Sequence, residues 1–188
     1  AGVPKHALQL LPGGGDIGRA LTAQSTLNIV AFTGSTGTAL RIRASLAANA
    51  PATPLIAETG GLNAMIVDST ALPEQAVAAI VESSFQSAGQ RCSALRCLYI
   101  QEDIAPAFTK MLTGAMDALD VGQPWNIATD VGPVIDEAAR AKIANHIAAH
   151  QSEVIHQLPT PQNGTFIAPT LIKIDGISAM KEEIFGPV

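Results

Sequence analysis

The run Gly89-Gln90-Arg91-Cys92-Ser93 places a cysteine in a polar bend entered through a glycine, between two apolar segments. A thiol in that setting, beside a guanidinium and free backbone N–H groups, ionises readily and attacks carbonyl carbon well. Most free cysteines are instead small buried hydrophobes, and Cys97, between Arg96 and Leu98 in an apolar run, reads as one of those. The two cysteines are four residues apart across a bend into a strand, which is poor zinc spacing.

Other residues of chemical interest are scattered along the chain. Glu58 ends an apolar strand directly before Thr59-Gly60-Gly61. A carboxylate at the C-terminal edge of a strand faces the crevice where α/β proteins bind ligands, and partial burial would suit it to general-base work. Thr33-Gly34-Ser35-Thr36 joins a strand to a helix. Its hydroxyls and the free N–H groups of the helix start would suit an anion, or serve simply as an N-cap. Gly13, Gly15 and Gly18 spell a formal G-x-G-x-x-G, but the strand that follows ends in Phe32-Thr33-Gly34 with no acidic ribose partner. These glycines read as a tight strand-to-helix turn. His146 and His150 stand four apart without the glutamate of a zinc-hydrolase motif, and read as surface histidines.

These residues need a scaffold, and the chain alternates strand and helix. Strands are expected over residues 7–11, 27–32 and 54–58, with helices over 16–24, capped by Asp16, and 37–48. A boundary is placed at Thr59-Gly60-Gly61. Beyond it, strands are expected over 63–68, 95–101, 154–157 and 165–172, and helices over 73–87, 104–119 and 136–150, the last capped by Asp136. The alternation argues for an α/β fold of parallel sheets flanked by helices.

The bulk properties narrow the function classes. The chain of 188 residues is 47% hydrophobic and only 14% charged, so it builds a core and is no disordered tail. A net charge of −5 without a basic block argues against nucleic acid as a partner. No apolar run is long enough for a transmembrane span, and the N-terminus lacks a signal peptide's apolar region. Two cysteines make no disulfide framework, which suits a reducing, cytoplasmic setting. The chain opens in mid-pattern and stops at Phe185-Gly186-Pro187-Val188 without a polar tail, as a segment of a longer enzyme would.

Four motifs occur in one order: Phe32-Thr33-Gly34-Ser35, Glu58-Thr59-Gly60-Gly61, Gly89-Gln90-Arg91-Cys92 and Glu183-Ile184-Phe185-Gly186-Pro187. Together they resemble the aldehyde dehydrogenase superfamily over nearly the whole chain. The stretches Ala57–Asp68 and Ser87–Arg96 are similar to the Δ1-pyrroline-5-carboxylate dehydrogenase branch, as found in bifunctional proline utilization proteins. The resemblance implies NAD-dependent oxidation of glutamate semialdehyde, with Cys92 as nucleophile and Glu58 activating water to hydrolyse the thioester. The Cys92 N–H would supply half of an oxyanion hole. Phe32, Thr33, Gly34, Ser35, Glu58, Thr59, Gly60, Glu183 and Phe185 would meet NAD, with Ser35 near the pyrophosphate, Glu183 on the nicotinamide ribose and Phe185 beside the nicotinamide. Ser93 and Arg91 would meet the substrate carboxylate. No metal is implied.

On this resemblance residues 1–58 form the second half of an NAD-binding domain and 59–188 most of a catalytic domain. The second oxyanion donor, the rest of the cofactor site and the substrate-carboxylate loop would lie outside the 188 residues, which alone would be inactive. The parent would be a homo-oligomer, with a proline dehydrogenase domain fused in the bifunctional members. Another aldehyde, such as succinate semialdehyde, and a non-catalytic module of the same shape remain alternatives; Ser93 speaks against the first, and Cys92 with Glu58 against the second.

Overall fold

The computed structural model describes residues 2–188, which form two compact units that divide between Gly60 and Gly61. In the first unit, α1 (Gly15–Thr22) precedes β1 (Val30–Gly34), α2 (Thr36–Asn49) and β2 (Leu55–Thr59). β1 and β2 pair in parallel, with Thr33 opposite Glu58 and Gly34 opposite Thr59. This is one β-α-β crossover, the arrangement that lets parallel strands be neighbours. Ala39, Leu46 and Ala50 form its small core.

Two expectations fail in this unit. Residues 7–11 form no strand: Leu8, Leu10 and Leu11 stand 82%, 89% and 65% exposed. A strand is held by its neighbour's hydrogen bonds, and none among the described residues pairs with this segment. Asp16 does not cap α1. The helix starts one residue earlier, behind Gly14, and Asp16 sits in the first turn, where its charge suits the helix dipole.

The second unit is larger. β3 (Ala64–Val67) and β4 (Cys97–Ile100) pair in parallel around the crossing helix α3 (Pro73–Phe85). Pro73 stands at the first position of α3, where its missing N–H costs nothing. α4 (Ala105–Met116) packs beside α3, and α5 (Glu137–Ala149) begins at Asp136, whose carboxylate accepts the Ala139 N–H at 2.8 Å. Leu112, Met116, Ile143 and Val131 are almost wholly buried in one core with Val67, Ile80, Phe85 and Ile184. Among the described residues no helix is long and apolar enough to cross a membrane.

The third sheet departs from the parallel pattern. β5 (Val154–Gln157) and β6 (Thr170–Ile172) run antiparallel. β6 begins five residues later than expected because Pro169, which has no N–H to donate, precedes it. Thr165, outside β6, exchanges two bonds with Val134, at 2.9 Å through backbone groups and 2.6 Å through its hydroxyl.

Candidate active site

The bend that carries Cys92 is built by a left-handed turn. α3 ends at Phe85, Gln86 is extended, and Ser87, Ala88 and Gly89 then take φ values of 56°, 53° and 65°. Two of these carry a β-carbon, and each such residue costs about 1–2 kcal/mol in that region. The turn is held from several sides. The Gln90 N–H donates to the Ser87 carbonyl at 3.1 Å, and Gln90 Oε1 accepts the Ile135 N–H at 3.0 Å. Gly89 lies so close to the Gly186 carbonyl that a β-carbon would sit 2.2 Å from its oxygen. A hollow of about 380 Å³ beside the bend is lined by Ser87, Gln90, Ile135, Lys142 and Phe185.

Cys92 itself is exposed, whereas Cys97 is buried. Burial pushes the Cys97 thiol above its ordinary value, so it is protonated at neutral pH. Its sulfur lies 3.0 Å from the Met180 sulfur. The two cysteines thus divide as the sequence suggests, one open to solvent and one in the core.

Both peptide groups flanking Cys92 are held. The Asn63 side-chain amide, just before β3, donates to the Cys92 carbonyl at 2.7 Å and to the Ala94 carbonyl at 2.9 Å. The Arg91 carbonyl accepts the Ala94 N–H at 3.1 Å and an Arg96 guanidinium N–H at 3.2 Å. Among the described residues, the Cys92 N–H has no acceptor. Neither Asn63 nor Arg96 is singled out by the sequence motifs as a functional residue. The signal for Arg96 is a charge between apolar residues at a strand entrance; Asn63 carries none.

Arg96 also reaches the end of the chain. Its side chain is 1% exposed and lies 3.4 Å from Glu183 Oε1, and it donates to the Gly186 carbonyl at 3.0 Å. The guanidinium sits 5.4 Å from the centre of the Phe185 ring, within cation–π range. Burial lowers its affinity for the proton, and the Glu183 charge opposes that shift. Among the described residues, Arg96 Nε is the one buried side-chain nitrogen or oxygen without a hydrogen-bond partner.

The remaining candidates are placed as follows. Ser93 is exposed beside Cys92. Arg91 folds back, donating to Gln86 Oε1 at 2.6 Å and Ser87 Oγ at 3.0 Å. His146 on α5 and His150 at its C-terminal end are half-buried rather than fully on the surface, their rings tilted by 48° with centres 4.7 Å apart. In the first unit, Ser35 caps α2: its hydroxyl oxygen accepts the Thr38 N–H at 3.2 Å. The Phe32 ring lies over Gly34, where a β-carbon would come within 2.6 Å of it. Glu58 is exposed within its own unit, not partly buried; among the described residues β2 pairs with β1 alone. Thr59 and Gly60 follow it, half-buried.

Asn63 and Arg96 thus hold Cys92 between clamped peptide groups, while Glu183 and Phe185 are tied to the same bend. Residues 1–188 match the aldehyde dehydrogenase family throughout. The chain is 47% identical to the bifunctional protein PutA of Escherichia coli over its whole length and spans 15% of that protein. It is 36% identical to 1-pyrroline-5-carboxylate dehydrogenase of Geobacillus thermodenitrificans, spanning 38% of it. A crystal structure of a proline utilization A variant from Bradyrhizobium japonicum superposes with a TM-score of 0.96 at 49% identity, over 99% of this chain and 19% of that one. Betaine aldehyde dehydrogenase of Staphylococcus aureus, solved with NAD+, gives a TM-score of 0.90 at 29% identity, over 99% of this chain and 39% of that one.

Proposed function

Because the chain belongs to the aldehyde dehydrogenase family, we propose that it is the thiol-bearing part of a longer NAD-dependent enzyme that oxidises glutamate 5-semialdehyde, the open form of 1-pyrroline-5-carboxylate, to glutamate. Similarity to proline utilization and 1-pyrroline-5-carboxylate dehydrogenase proteins supports this substrate over other aldehydes. On this reading residues 1–58 complete a cofactor domain and 59–188 belong to the catalytic domain. The observation that carries the reading is the exposed Cys92 with an unengaged N–H, in a bend bolted to the segment that carries Glu183 and Phe185.

The Cys92 thiolate adds to the aldehyde carbon, and the Cys92 N–H stabilises the charge that forms on the carbonyl oxygen. A bound NAD would supply the acceptor for the hydride of this carbon. The acyl group then remains on Cys92 sulfur as a thioester. Glu58 takes a proton from water, whose oxygen attacks the thioester carbonyl and releases the carboxylate product. Ser93, exposed beside Cys92, would meet the substrate carboxylate, and Arg91 would join it by leaving Gln86 Oε1 and Ser87 Oγ.

The residues present fit the cofactor. Glu183 has one carboxylate oxygen turned to Arg96 and the other without a protein partner among the described residues, free for ribose hydroxyls. The Phe185 ring is 43% exposed and offers an apolar face to a nicotinamide. In the first unit Phe32, Thr33, Gly34, Ser35, Thr59 and Gly60 lie at strand ends and the start of α2, where free helix N–H groups suit a pyrophosphate.

The test is Cys92→Ala in the full-length chain. Loss of aldehyde-dependent NAD reduction is expected, and unchanged turnover would refute the proposal.

A further inference from the structure

We propose that Asn63 and Arg96 are positioning residues that fix the two peptide planes flanking Cys92 and so aim its N–H at the carbonyl the sulfur attacks. The inference rests on the reading of Cys92 as nucleophile. A trans peptide group points its C=O and N–H in opposite directions, and no peptide bond among the described residues is cis. The Arg91 carbonyl is turned onto the Arg96 guanidinium at 3.2 Å and the Ala94 N–H at 3.1 Å. The N–H of the same plane, that of Cys92, is thereby turned away from both donors. The following plane is held by the Asn63 amide on the Cys92 carbonyl at 2.7 Å. The same amide nitrogen also holds the Ala94 carbonyl at 2.9 Å, so Asn63 ties together two carbonyls of the bend.

Neither side chain rests on a mobile part of its own. The Asn63 carbonyl accepts the Arg96 and Cys97 N–H groups at 3.0 Å, which locks it to the entrance of β4. The Arg96 side chain is 1% exposed. An oxyanion donor works only while it is aimed where the charge forms, and removing such a donor outright costs about 10²–10³ in kcat. Releasing its support should cost less than removing it.

The test uses the full-length chain with Asn63→Ala, Asn63→Asp and Arg96→Lys. The first deletes the amide, the second keeps its shape without the N–H donors, and the third keeps a cation without the planar fork. In each, kcat is expected to fall roughly ten- to a hundredfold. The rate of Cys92 alkylation by iodoacetamide, a displacement that needs no oxyanion donor, and the Michaelis constant for aldehyde should stay within about twofold of the parent. A parent-like kcat in the variants of either residue would overturn the proposal. So would alkylation and Michaelis constants that shift in step with kcat, since that is the mark of general loosening. A loss confined to Asn63→Asp would also overturn it, because repulsion between the new carboxylate and the carbonyls would then be the cause. Cys92→Ala, assayed alongside, reports on the nucleophile itself: turnover in that variant defeats the underlying reading, whatever the other three do.

Discussion

Gly89 and Gly186 meet backbone to backbone: a β-carbon on Gly89 would stand 2.2 Å from the Gly186 oxygen and 2.8 Å from that of Ser84. Both obstacles are main chain, so neither can swing aside, and φ at Gly89 is +65° besides. Gly89→Ala is therefore expected to destabilise by about 2–5 kcal/mol, the sum of a left-handed penalty and an overpacking cost. A urea unfolding midpoint measures it. The nearest obstacle to a β-carbon on Gly186 is a side chain, that of Ile143 at 2.5 Å. Pairing Gly186→Ala with Ile143→Val should recover part of its loss, while no side-chain change should rescue Gly89→Ala.

Labelling separates the two thiols. Native protein at neutral pH should take up iodoacetamide at Cys92, which is exposed, and not at Cys97, which is buried with its proton held by desolvation. Mass mapping of the modified peptides reads the result, and Cys97 should react once the protein is unfolded. Equal labelling in the native state would contradict the structure.

Glu58→Gln should separate the two halves of the proposed reaction. Mixing enzyme, NAD and aldehyde would give a burst of reduced cofactor of about one per site, then little more, because the thioester is no longer hydrolysed. Steady turnover at the parent rate would remove Glu58 from the role of general base.

His146 titrates against the fold. Burial, reinforced by His150, lowers its affinity for the proton from the ordinary value of 6.5. The unfolded chain then binds more protons at that site, so stability rises with pH through this window. The contribution is complete above pH 6.5, is lost as pH falls from there through the lower folded value, and levels off beneath it. Denaturation midpoints measured from pH 7.5 down to about 5 should fall less steeply in His146→Gln than in the parent. Identical slopes would show that another group is responsible.

Much of this architecture is legible in the residues. Pro73 and Asp136 announce their helices, and the glycines after Glu58 stand where the two units divide. Elements that depend on a distant partner are less visible. Leu8, Leu10 and Leu11 have the composition of a strand, yet without a pairing neighbour they are not one. Within the site, Cys92 is marked by the polar bend around it, and Cys97 by the apolar run it belongs to. The grip of Asn63 on Cys92 spans 29 residues, and that of Arg96 on Gly186 spans 90. No local pattern encodes bonds of that reach, because each depends on where the whole second unit brings its strands and loops together.

The left-handed turn at Ser87 and Ala88 has a further bearing on how the protein matures. A chain free of tertiary contacts abandons such a conformation, since each β-carbon there is penalised. The carbonyl packed closely against Gly89 is that of Gly186, and the same carbonyl accepts a bond from Arg96, 90 residues earlier in the chain. During synthesis, then, Cys92 emerges in a loop that lacks these contacts, and the turn gains them only when the stretch around Gly186 has docked.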